Sequence, residues 1–283
     1  MAQSLASLLG GNLGGIEARQ FPDKETYLRL KDDPGSRTVI LVCTLRHPNK
    51  TIVPLLFAAE TARDLGATHV GLVAPYLAYM RQDARFHPGE AITSQIFARL
   101  VSGSFDWLVT ADPHLHRYGS LADVYKLPFR IAKTAPAIAH WIRENVPNAI
   151  IIGPDSESKQ WVADVARDAR VPFAVMDKAR AGDRDVTVNL GDVSLTPDHT
   201  PVLVDDIISS GRTMLAALTA LERRTTQAPI CIGVHAVFAD QVEEEFARVG
   251  ARLITCNTVP HPTNTIDVAS LLAVEAQPFL CRL

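Results

Sequence analysis

The run Asp205-Asp206-Ile207-Ile208-Ser209-Ser210-Gly211-Arg212-Thr213 places two carboxylates, three hydroxyls and a glycine within nine residues. The apolar Val202-Leu203-Val204 before it has the character of a fully buried parallel strand. Leu215-Ala216-Ala217-Leu218 after it begins a helical pattern. The strand is expected to end at the acidic pair, and the small residues to turn the chain into a helix. Such a turn gathers backbone N–H groups and hydroxyls at a helix N-terminus, where a phosphate is favoured. The carboxylates repel phosphate, so they are expected to face ribose hydroxyls or a magnesium ion. Strand ends of open α/β sheets are where such ligands bind.

Other clusters follow expected strands. After the apolar run His69–Ala74 comes Pro75-Tyr76-Leu77-Ala78-Tyr79-Met80-Arg81-Gln82-Asp83-Ala84-Arg85, whose tyrosines and arginines suit a nucleotide or, taken alone, a solvated loop. After Trp107–Thr110 comes Asp112-Pro113-His114-Leu115-His116-Arg117. Histidine and carboxylate here read either as metal ligands or as a hydrogen-bonded loop. Asp177-Lys178-Ala179-Arg180 reads by itself as a charged loop, and Gly10–Gly15 as a flexible leading loop without a phosphate-binding context.

The elements that must position these clusters alternate strand and helix along the 283 residues. Strands are expected at 26–30, 38–43, 69–74, 107–110, 149–153, 171–176, 186–190, 202–204, 230–237 and 253–256. Helices are expected at 51–65, 91–101, 134–144, 159–169, 214–223, 240–249 and 268–275, the last capped by Thr263-Asn264-Thr265-Ile266. Two successive β/α series give an α/β protein with two doubly wound units. Hydrophobic residues make up 47% and charged residues 21%, as in a globular protein with a sizeable core. A formal net charge of -3 gives no basic footprint for nucleic acid or an anionic membrane. No apolar run is long enough to span a bilayer, and the N-terminus lacks the basic start of a secretory signal. Cys43, Cys231, Cys256 and Cys281 show no CxxC spacing and are expected to be reduced thiols, which agrees with a cytoplasmic protein.

Taken together, the clusters resemble the ribose-phosphate diphosphokinases, or phosphoribosyl diphosphate synthetases, along the whole chain. Phe21-Pro22-Asp23-Lys24-Glu25 resembles the family's FxDGE element, and Pro75–Phe86 its PYxxYxRQDR stretch. Asp112–His116 resembles its DLH segment, Gly153-Pro154-Asp155 its SPD, Met176–Arg180 its DKRR, and Val202–Thr213 its sugar-phosphate loop. The resemblance implies two doubly wound phosphoribosyltransferase-like (type I) domains in tandem. They would be an ATP-side domain at 1–143, with a C-terminal helix within 266–283 packing back on it, and a ribose 5-phosphate domain at 144–265. It implies transfer of the diphosphoryl group of ATP to the anomeric hydroxyl of ribose 5-phosphate, with Mg2+. By matching position, Arg81, Gln82 and Asp83 would bind ATP, and Phe21, Asp23 and Glu25 would reach the adenine of a neighbouring subunit in a dimer-based homo-oligomer. His114 and Asp155 would lie at the metal. Asp205, Asp206, Ser209, Ser210, Gly211 and Thr213 would hold ribose 5-phosphate, and Lys178 and Arg180 would be the catalytic pair.

The chain departs from the family pattern as a short, divergent member would. Lys24 stands for a glycine, Asp155-Ser156-Glu157-Ser158 lacks a glycine pair, and Pro113 stands for leucine. The alternatives are a phosphoribosyltransferase, which consumes the activated sugar and needs no ATP element, and a catalytically silent paralogue that regulates an active partner.

Overall fold

A computed structural model describes residues 1–115, 117–154, 158–181, 185–189, 195–221 and 225–281, with backbone only at 177–181 and 185–189. The chain forms two compact units, Met1–Ala132 with Ala269–Leu283, and Lys133–Val268.

The first unit opens with helix α1 (Ala2–Leu8), then strands β1 (Ile16–Gln20) and β2 (Thr26–Leu30), which pair antiparallel from Ile16↔Leu30 to Gln20↔Thr26. Only β2 was expected. β1 carries charged and exposed side chains and is held by its ladder, so apolar periodicity does not reveal it. Next come β3 (Thr38–Val42), α2 (Pro48–Asp64), β4 (His69–Ala74), α3 (Thr93–Ser104), β5 (Trp107–Ala111) and β6 (Phe129–Ala132). Strands β3 to β6 form one parallel sheet in chain order. Parallel neighbours need a crossover, and α2 and α3 supply the first two. β5 is buried along its full length and β4 nearly so, which is why both read as continuous apolar runs.

The second unit runs α4 (Ala135–Asn145), β7 (Ala149–Gly153), α5 (Lys159–Ala169), β8 (Phe173–Val175), β9 (Asp177–Ala181), β10 (Asp185–Asn189), β11 (Thr200–Ile208), α6 (Arg212–Leu221), β12 (Ile230–Ala236), α7 (Val242–Arg248), β13 (Arg252–Cys256) and β14 (Asn264–Ile266). Its six-stranded parallel sheet has the order β14-β13-β12-β11-β7-β8. The chain moves from β7 outward to β8, then returns to lay β11 on the other side of β7. The order therefore reverses once, between β7 and β11. Behind it a core of Leu203, Ile208, Met214, Leu218, Cys231 and Phe246 joins β11 and β12 to α6 and α7.

Helix α8 (Ala269–Leu280) belongs to the first unit, where it packs on β5 and β6. Phe279 stacks on Trp107 with ring centroids 4.8 Å apart and planes within 5°. Two expectations are corrected. Asp177–Arg180, expected as loop, is β9, whose backbone pairs antiparallel with β10. Thr263–Ile266, expected as a helix cap, includes β14, and α8 begins at Ala269. Asn264 explains the second: its amide donates to the Cys256 carbonyl at 2.7 Å and to Thr255 Oγ1 at 2.9 Å, which binds this segment to β13.

Candidate functional site

In the second unit the strand expected to stop at Asp205 continues through both aspartates to Ile208. Aspartate has low strand propensity, but the ladder to β12 overrides it, with Asp205↔Gly233, Ile207↔His235 and Ile208↔Ala236 in register. The ladder to β7 stops earlier, at Leu203↔Ile152. Asp205 and Asp206 thus lie on a stretch of β11 that outruns β7, beside the Gly153-Pro154 end of β7, where the strand order reverses. That is the position at which open α/β sheets bind ligands. Both aspartates are half-exposed, and the Asp205 carboxylate accepts the Asp206 N–H at 2.9 Å.

Beyond β11 the chain turns as expected. Ser209 accepts through its carbonyl from Ala239 N–H at 3.1 Å, anchoring the turn to the segment after β12. Gly211 takes φ +67°, and its carbonyl accepts from Leu215 N–H at 2.8 Å, opening α6. A Cβ on Gly211 would come 2.5 Å from Cε2 of Phe246. Ser210 is exposed and Ser209 and Thr213 half-exposed, so all three hydroxyls border the first turn of α6, whose N–H groups lack helical acceptors. The segment can take an anion at its turn and hydroxyl donors at its acidic end. Asp155 lies outside the described residues. Lys178 and Arg180 pair through the backbone with Val188 and Val186, and their side chains lie outside the described residues.

In the first unit Arg81, Gln82 and Asp83 follow β4, and His114 follows β5, the adjacent parallel strand. The two loops are therefore neighbours at the carboxyl edge of the sheet. Arg81 is exposed and His114 half-buried. Asp83 is not open to solvent: its side chain is 2% exposed and accepts from Arg117 Nη1 at 2.8 Å. Tyr79 takes φ +61°, its hydroxyl bonds Asn49 at the start of α2, and its ring packs on Phe97 of α3 at 4.9 Å. Sequence reasoning placed Arg117 in the loop after β5 but not against Asp83, and missed Tyr118, whose only signal was position after an expected strand. His116 lies outside the described residues.

Phe21, Asp23 and Glu25 lie elsewhere in the same unit, at the tip of the β1–β2 hairpin. The turn closes through Phe21 N–H to the Glu25 carbonyl at 2.8 Å, with the Asp23 carboxylate accepting the Glu25 N–H at 3.1 Å. The Arg19 guanidinium lies 5.1 Å from the ring centre of Phe21 and 4.1 Å from that of Tyr27. Phe21 and Tyr27 border a recess of about 360 Å³ with Phe57, Glu60, Thr61 and Asp64 of α2. These belong to the C-terminal half of α2, which leads to the amino end of β4. The hairpin tip and the Arg81 loop thus sit at opposite edges of one sheet.

Among the described residues no three His, Cys, Asp or Glu side chains are assembled as a metal cage. A magnesium ion that arrives on phosphate oxygens keeps most of its waters and needs only one or two protein ligands. The half-buried His114 beside Asp112, and the acidic end of β11, are donor sets of that size. Cys43 and Cys231 offer no nucleophile. All four cysteines are free, and burial pushes the Cys43 thiol up to about 11 and raises that of Cys231 as well, so both stay protonated at neutral pH. Among the described residues no helix is long and apolar enough to cross a membrane.

A parallel unit with an acidic strand end and a glycine turn at its strand-order reversal defines a phosphoribosyl transferase type of domain, and the phosphoribosyl transferase domain family matches residues 123–271. The N-terminal domain of ribose phosphate pyrophosphokinase matches residues 1–104. The ribose-phosphate pyrophosphokinase of Sulfolobus acidocaldarius is 30% identical over 276 residues, covering 95% of this chain and 93% of that protein. That of Methanothermobacter thermautotrophicus is 30% identical over 275 residues, covering 96% and 95%. The chain belongs to the ribose-phosphate pyrophosphokinase family. Its fold is similar to that of phosphoribosylpyrophosphate synthetase from Mycobacterium smegmatis, with a TM-score of 0.85 over 99% of this chain and 95% of that one, at 22% identity.

Proposed function

We propose that the protein is a ribose-phosphate pyrophosphokinase that makes phosphoribosyl diphosphate and AMP from ATP and ribose 5-phosphate, with the first unit taking ATP and the second the sugar. One observation carries the assignment of the sugar: the segment Asp205–Thr213 sits at the strand-order reversal with acidic groups at one end and an anion-accepting turn at the other. Asp205 and Asp206 accept from the ribose hydroxyls, while Ser209, Ser210, Gly211 and Thr213 surround the 5-phosphate. On the ATP side Arg81 and Gln82, in one loop with Asp83, meet the triphosphate.

In the reaction the anomeric oxygen bonds to the β-phosphorus of ATP, the bond from that phosphorus to the α–β bridging oxygen breaks, AMP departs, and the hydroxyl proton passes to solvent. Such a transfer needs alignment and dispersal of charge more than covalent help from the protein. Lys178 and Arg180 supply cationic charge to the transferring oxygens and keep water from competing. His114 and Asp155 would hold the Mg2+ that accompanies the triphosphate, and the bound ion would neutralise its charge. Phe21, Asp23 and Glu25 serve the adenine of a neighbouring subunit in a dimer-based homo-oligomer; their place at the sheet edge opposite Arg81 supports this. Four free cysteines suit the reducing cytoplasm.

The test is incubation with ATP, magnesium chloride and ribose 5-phosphate, which is expected to release AMP. Nucleotide made from phosphoribosyl diphosphate and a free base, with no AMP from ATP, would replace this function by phosphoribosyl transfer.

A further inference from the structure

The loop after β4 and the loop after β5 are fastened to each other by a small set of bonds centred on Asp83. Arg117 Nη1 donates to Asp83 Oδ1 at 2.8 Å, and the same guanidinium lies 5.0 Å from the ring centre of Phe86. Tyr118 Oη donates to the Asp83 carbonyl at 3.3 Å and bonds Ser94 Oγ of α3 at 2.8 Å. Ser94 N–H donates to the Gln82 carbonyl at 3.4 Å. The backbone of Gln82 and Asp83 is thereby tied to both α3 and the β5 loop, while Arg81 stays exposed. A carboxylate whose side chain is 2% exposed has almost no surface to offer a nucleotide. Its charge would also repel a triphosphate. The arrangement suits a part that shapes the loop and not one that touches the ligand.

Resting on the ATP-side assignment above, we propose that Arg117 is a positioning residue for ATP: it holds the buried Asp83 carboxylate, fixing the Arg81–Gln82 turn against the His114 segment, and Asp83 acts through this clamp. Arg117 is exposed and borders the loop from outside, so its removal leaves the sheet core untouched. What is lost is the cationic partner of the buried Asp83 and the register of the two loops.

The test compares the full chain with Arg117→Lys, Arg117→Ala, Asp83→Asn and the double variant Asp83→Asn/Arg117→Ala. Each single loss of the pair is expected to raise the KM for ATP about tenfold, with the KM for ribose 5-phosphate within about twofold of wild type. Arg117→Lys keeps a cation and is expected to recover most of the loss. The double variant is expected to be no worse than the worse single one, because the two side chains act as a unit. Multiplying losses in the double variant would mean that Asp83 meets ATP directly, and would overturn the clamp. A parallel rise in both KM values with a lowered melting temperature would reduce the pair to general stability, and would also overturn it. Wild type that releases no AMP would sink the proposed activity separately. The clamp is then judged by calorimetric binding of magnesium with a non-hydrolysable ATP analogue, where the same pattern in Kd supports it. Equal binding by all variants, or none by wild type, overturns it.

Discussion

Gly211 meets two demands that no other residue type satisfies together. Its φ of +67° costs an L-residue with a Cβ about 1–2 kcal/mol, and the Cβ would also intrude on the Phe246 ring. Gly211→Ala is therefore expected to destabilise the protein by about 3 kcal/mol in urea unfolding. It is also expected to raise the KM for ribose 5-phosphate well above the wild-type value. An unchanged unfolding midpoint would show that the turn relaxes freely. Lys24 is the opposite case. It takes φ +77° where the resembling FxDGE element carries glycine, so the hairpin keeps its turn at the expense of a strained lysine. The glycine of the sugar-phosphate loop was legible as a turn residue. Its contact with Phe246 was not, because that ring arrives from α7, some thirty-five positions further along the chain.

At the scale of the element, the decisive feature is that β11 is longer than its apolar run. Val202–Val204 carries the strand signal, yet pairing with β12 extends it across two aspartates. Gly233 permits this: a Cβ there would lie 2.7 Å from Cδ1 and 2.8 Å from Cγ1 of Ile208. Gly233→Ala is expected to push Ile208 aside, costing about 1–3 kcal/mol of stability and weakening ribose 5-phosphate binding through the adjoining acidic pair. The double variant Gly233→Ala/Ile208→Ala is expected to be less unstable than the two single losses added, measured by denaturant unfolding. Strict additivity would place the two residues in independent environments. Helix positions followed their apolar spacing closely, as in α5, expected and found at 159–169. β1 and β9 were missed, because charged strands declare themselves only through a partner.

At the scale of the whole molecule, the C-terminal helix returns to the first unit, and Phe279 completes the cover over Trp107. Local sequence assigns α8 to no sheet; packing does. Within the first unit the hairpin tip bearing Phe21 and the loop bearing Arg81 sit at opposite edges of the sheet, so one copy does not bring them together. If neighbouring subunits share each ATP site, two inactive variants, Phe21→Ala and Arg81→Ala, are expected to regain AMP release when mixed and reassembled. Random pairing in a two-fold dimer leaves about a quarter of the sites intact. No recovery after subunit exchange, verified by native mass spectrometry, would confine each site to a single chain.

The sequence by itself determined the alternation of strands and helices, the motifs at their ends and the kinship those motifs imply. These depend on residues close together in the chain, where burial periodicity and turn chemistry act locally. Tertiary structure alone decided that β11 outruns β7, that Asp83 is clasped by Arg117, and that the hairpin tip lies at the far edge of its sheet. Each depends on partners brought together by ladders and packing from distant parts of the chain, which no local pattern encodes.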